Sequence, residues 1–121
     1  MRLKSASRTE REAGGPRALR LKLGLDQHQM ARVLDISVRS LSDLENGGQD
    51  SVPTANRRLT ELRRFYARLS RVARLSPRDS RQWFLSPNRS LGNLSPLEAI
   101  ERGHIDRLWD MVFQLESGAL S

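Results

Sequence analysis

No cysteine occurs among the 121 residues, which excludes disulfides and thiolate metal sites. Only two histidines are present, His28 and His104, too far apart in sequence to suggest a metal cluster. Uninterrupted apolar stretches reach only two or three residues, so no segment is expected to span a bilayer. The opening residues mix Arg, Lys, Ser and Thr without an apolar core behind them, and no secretory leader is expected. The compartment that remains is the cytoplasm. Also missing are a glycine-rich phosphate loop, a nucleophile elbow and a Ser/His/Asp order. The chain is therefore expected to be no enzyme and to carry no cofactor and no metal.

Acidic residues are scarce in one part of the chain only. The net charge is +7, from 21 Lys and Arg against 14 Asp and Glu. Residues 1–76 hold 16 basic and 8 acidic side chains, net +8, whereas residues 77–121 hold 5 and 6, net −1. All the excess positive charge thus lies in the first part, as expected for a nucleic-acid-facing lobe joined to a neutral, partner-facing one.

Strand alternation is absent, and the apolar spacing is helical throughout, so the chain is all-α. Residues 1–15 are charged, small and aperiodic and read as a flexible basic tail. Gly14-Gly15-Pro16 ends it and starts a first helix. Asp26 is suited to N-cap a short helix whose inward face is Met30, Ala31 and Leu34. Ser37 caps the next helix, with Val38, Leu41 and Leu44 on its apolar face. A turn of about four residues separates the two. At that length two helices cross steeply enough for the second to enter a DNA groove. After a loop at 47–51, Pro53 leads into a long helix expected to run to about residue 75. Its inward positions are Ala55, Leu59, Leu62, Phe65, Tyr66, Leu69, Val72 and Ala73. Its other face carries Arg57, Arg58, Arg63, Arg64, Arg68, Arg71 and Arg74, which either stay solvated or meet a DNA backbone or an acidic partner. Ser76-Pro77 starts a helix that stops at Ser86-Pro87. Ser95-Pro96-Leu97-Glu98 is a capping box, closed after one helix by Gly103. A last apolar helix over 106–117 ends at Gly118.

The joint placement of Gln27, Ala31, Ile36-Ser37, Leu41-Ser42 and Glu45-Asn46-Gly47 resembles the Xre (lambda-repressor-like) helix-turn-helix family. One departure is Asp35, where that family usually has Gly; Asp is among the few residues that tolerate a left-handed backbone. Base reading is expected from the start of the second helix, through Val38, Arg39, Ser42 and Asp43. Arg39 is placed for a guanine and Val38 for a thymine methyl. Gln27 and the Ser37 helix start are expected at phosphates, with Arg57 and Arg58 beside them.

Farther on, Trp83-Phe84, Pro87-Asn88, Leu91-Gly92, Ser95-Pro96-Leu97, Gly103 and an apolar helix ending Glu116-Ser117-Gly118 occur in the order seen in Xre/MbcA/ParS-type antitoxins. The resemblance covers about residues 16–120. It departs at Asn93, in place of a Gly, and over 103–106. It implies a helix-turn-helix DNA-binding domain with connecting helix at 16–76 and a C-terminal partner-binding domain at 77–121. It also implies a homodimer bound to double-stranded operator DNA that autorepresses its operon and neutralises a RES-domain toxin, an enzyme that consumes NAD or transfers ADP-ribose. Trp83, Asn88, Leu91, Trp109, Glu116 and Gly118 would then belong to the toxin-binding surface. A lobe of about 45 residues can hardly bury Trp83, Phe84, Trp109 and Phe113 unaided, so part of it is expected to face another chain. A stand-alone regulator whose C-terminal lobe dimerises or binds another protein is the alternative. A protein-interaction module that has lost DNA binding is a third reading.

Overall fold

Prolines and small polar caps cut the chain into helices close to the expected places. The computed structural model describes residues 15–47 and 53–117. The basic tail up to residue 14, most of the loop before Pro53, and Gly118 lie outside the described residues. Among the described residues seven α-helices and one 3₁₀ turn follow one another: α1 (Pro16–Leu23), α2 (Gln27–Leu34), α3 (Val38–Glu45), α4 (Pro53–Val72), α5 (Pro77–Leu85), the 3₁₀ turn (Arg89–Leu91), α6 (Pro96–Glu101) and α7 (Ile105–Ser117). The fold is all-α, and among the described residues no helix is long and apolar enough to cross a membrane.

The caps explain these boundaries. Asp26 accepts from the Gln29 backbone N–H at 2.8 Å, while the Gln29 side chain accepts from the Asp26 N–H at 2.9 Å. The same reciprocal box links Ser95 and Glu98 at the start of α6. Ser76 caps α5, with Pro77 in the first turn. The preceding helix α4 stops at Val72 rather than near residue 75. Ser76 must be extended to cap α5, with φ −66° and ψ 164°, and a residue before proline is pushed from the helical region.

The core is one cluster shared by both parts of the chain. Along α4, Ala55, Leu59, Leu62, Phe65 and Leu69 are buried, and α1, α2 and α7 pack on it. In turn α5 packs on α1, α6 on α2, and α6 joins α5 to α7. Phe65 is wholly buried at the meeting point. Its ring centroid lies 6.4 Å from those of Trp83 and Phe84 and 5.5 Å from that of Trp109. The C-terminal aromatics therefore find most of their cover on α4, within the same chain. Phe84 is buried, and Trp83 and Trp109 are half-buried; Phe113 alone remains 49% exposed.

Candidate nucleic-acid interface

The interface is built on α2, α3 and the three residues between them. Asp35 ends α2 in the left-handed conformation, φ 58° and ψ 47°, where Asp is one of the few non-glycine residues at ease. Its N–H and that of Ile36 donate to the carbonyls of Arg32 and Ala31 at 3.2 and 3.0 Å, which terminates α2. Ser37 then caps α3, accepting from the Ser40 N–H at 3.0 Å. Val38 packs half-buried against the core and Leu41 is wholly buried, so the opposite side of α3 faces out. Arg39 and Asp43 are exposed there, Ser42 is partly so, and Ser37 stands at the helix start. Among the described residues Arg39 makes no ion pair or hydrogen bond, which leaves its guanidinium free for a ligand.

A carboxylate holds this helix pair to α1. The Glu45 side chain is removed from solvent, and Arg20 donates to both its oxygens, Nε to Oε2 at 2.7 Å and Nη2 to Oε1 at 3.1 Å. Gln27 Nε2 adds a third bond at 3.2 Å, and the exposed Arg17 lies 3.6 Å away. Burial pushes the Glu45 carboxyl up. The bonds from Arg20 and Gln27 and the charges of Arg20 and Arg17 outweigh it and hold the group below the ordinary carboxylate range. Three helices are thus fastened at one buried charge.

The expected contact residues divide by what else they do. Gln27, expected at a phosphate, turns its amide to Glu45. Arg58, also expected at a phosphate, is half-buried and donates from Nη1 to the Val33 carbonyl at 3.0 Å, fixing the first turns of α4 beside the end of α2. Arg57 is exposed. It borders a shallow cleft of about 240 Å³ between α4 and the α6–α7 turn, with Thr54, Glu61, Ile100 and Ile105. The Glu45–Arg20 pair was not anticipated. Glu45 is visible as the closing residue of the motif, but its partner lies 25 positions earlier and is joined only by folding.

The C-terminal candidates are dispersed. Leu91 is 1% exposed and sits in the core, so it supports the 3₁₀ turn and does not form surface. Asn88 accepts from the Ser90 N–H at 2.9 Å and shapes the same turn. Gly92 and Asn93 follow it, both with positive φ, as expected for Asn at that place. Glu116 is exposed on α7 and pairs with Arg68 at 2.8 Å; the Arg68 guanidinium also covers the Phe113 ring at 5.7 Å. Trp109 stacks on Phe113 at 5.7 Å, so Trp109, Phe113 and Glu116 adjoin along one side of α7. Trp83 reaches this group through Phe65.

Residues 17–57 match the family described as Helix-turn-helix, a span that begins in α1 and ends in the first turns of α4. Among solved structures, the chain shares its fold with one in the crystal structure of the M. tuberculosis MbcT-MbcA toxin-antitoxin complex. The identity is 23%, the TM-score is 0.72, and the match covers 88% of this chain and 94% of that one. No curated protein matches.

Proposed function

We propose that this chain is a DNA-binding antitoxin of a toxin-antitoxin pair. In this reading α3 enters the major groove of an operator, Arg39 reads a base, and Ser42 and Asp43 border it, while Val38, expected at a thymine methyl, packs against the core. Ser37, the start of α3 and Arg57 meet phosphates. Repression of its own operon follows from that binding, and a cytoplasmic homodimer reads two half-sites, because one motif of this size binds weakly. The C-terminal elements neutralise a RES-type toxin through the side of α7 that carries Trp109, Phe113 and Glu116, with Trp83 behind. The observation that carries the reading is the unpaired Arg39 on an exposed α3 that Glu45 and Leu41 hold rigidly. The fold shared with a chain of the MbcT-MbcA complex supports the toxin-binding half.

One observation favours the stand-alone regulator instead. Leu91, Phe84 and most of Trp83 and Trp109 serve this chain's own core, so the C-terminal half has a structural role without a partner. Co-expression with the adjacent reading frame separates the two. An antitoxin is expected to rescue growth from that product and to co-purify with it as a stable complex. A harmless neighbour with no complex would leave the regulator.

A further inference from the structure

The outer face of α4 carries a row of exposed arginines, and among the described residues no acidic side chain pairs with them. Arg57, Arg64 and Arg71 recur every seven residues, so they stand in one line along the helix, about 10 Å apart and about 21 Å end to end. Arg63 flanks the line, and all four are exposed. Among the described residues none of the four has an ion-pair partner, whereas Arg17, Arg20, Arg32 and Arg68 each have one. Arg71 also has Arg68 and Arg74 as neighbours three positions away, and like charges at such spacing repel.

We infer that this ridge is a second phosphate-binding surface, which grips the duplex flanking the bases read by α3. The inference rests on the DNA-binding reading above and extends it past the motif. Position is the first argument. The Arg58 bond to the Val33 carbonyl sets the beginning of α4 beside the turn that leads into the base-reading end of α3. The ridge therefore starts beside the end of α2, close to the turn before α3, and runs outward along the helix.

Composition is the second argument, and it favours a polyanion over an acidic protein. Specific protein interfaces usually place aromatic anchors in a well-packed centre alongside any arginines. The large exposed apolar side chains among the described residues are Leu21, Phe113 and Leu115, none of them on α4. Between the arginines stand Thr60 and Ala67, small enough to let a smooth backbone approach, with the single acidic side chain of α4, Glu61, partly buried beside Arg57 at the cleft. A guanidinium also fits a phosphate through paired N–H donors.

The test is a salt titration of binding. One duplex comes from immediately upstream of the chain's own reading frame; the other is random sequence of about 30 base pairs, roughly 100 Å long. The R63Q/R64Q/R71Q variant is expected to lose about 10- to 100-fold in affinity at low salt, equally on both duplexes. Its slope of log affinity against log salt should be shallower by about 2 to 3, one phosphate contact for each arginine. Arg39→Ala should instead keep the slope nearly unchanged and lose the preference for the upstream duplex. Arg64→Gln alone, with an expected slope change of about 1, covers the case in which the triple variant folds poorly. Wild-type affinity and slope in the ridge variants, with preference still lost in Arg39→Ala, would overturn the ridge and leave the reader. Retained DNA binding with loss of the co-purified neighbouring product would assign the ridge to an acidic protein and overturn it too. A wild-type chain that binds neither duplex at low salt would remove both.

Discussion

Glu45 is an acidic group placed inside the basic part of the chain, and its effect follows from which term wins. Removing a carboxylate from water is costly, and only well-formed charged partners offset it. Arg20 supplies two such bonds and Gln27 a third, with the net result that the carboxyl stays charged more readily than in solution. Its folded pKa is depressed, so its contribution to stability is fully present above its ordinary value of 4.5 and is lost as pH falls through the lower folded value. Glu45→Gln keeps the shape but removes the charge and faces the Arg20 donors with an amide. At neutral pH we expect a loss of about 2–3 kcal/mol, under the range for a fully buried pair, since Arg20 retains some access to water. Unfolding by urea at several pH values checks this: the gap between wild type and variant should be constant at neutral pH and narrow in acid. A gap that does not change with pH would show that the ionisation of Glu45 plays no part. The motif announced this residue through Glu45-Asn46-Gly47, but its bond to Arg20 was not legible, because charge pairs between helices leave no periodic trace.

At the scale of elements, the sequence was most legible where backbone chemistry decides. Asp26, Ser37, Ser76 and Ser95 cap helices as their residue types suggest, and Asp35 and Asn93 take the left-handed conformation that Asp and Asn tolerate. Packing between distant elements was not legible, and Gly24 is the clearest case. It ends α1 at φ +76°, and a side chain there would collide with the Pro77 carbonyl oxygen and come within 2.6 Å of Arg81 Cβ. Arg81 also donates to the Gly24 carbonyl at 2.9 Å and to Gln29 Oε1 at 3.0 Å. The α1–α2 turn thus forms the seat for α5. Gly92 has a similar backbone, φ +67°, with open space where a side chain would stand. Gly92→Ala is therefore expected to cost only backbone strain, about 1 kcal/mol. Gly24→Ala should cost about 2–4 kcal/mol, because α5 must also shift. Thermal unfolding of the two variants isolates the difference, and equal losses would mean that α5 does not rest on this turn.

The whole molecule shows why that seat matters for function. Charge divides the chain near residue 76, yet the core does not. α5 covers α1, α6 covers α2, with Arg32 and Glu101 paired at 3.2 Å across that contact, and α7 covers the later turns of α4. A chain ended after Ser76 would uncover Leu19 and Leu23 on α1 and Phe65 and Leu69 on α4, side chains worth about 1.5–3 kcal/mol each when fully buried. That is comparable with the whole stability of a small domain. The 1–76 fragment is expected to lose its sharp thermal transition and with it the preference for the upstream duplex, although all of α1 to α4 is present. Circular dichroism during heating, followed by a binding titration, measures both. A fragment that melts cooperatively and binds like the full chain would mean that the reader needs nothing from the C-terminal half. If instead the fragment fails, the C-terminal half is the scaffold of the reader. A partner that pulls α5 or α6 away from α1 and α2 would then disturb α3 through the same contacts, with no hinge required between the two functions.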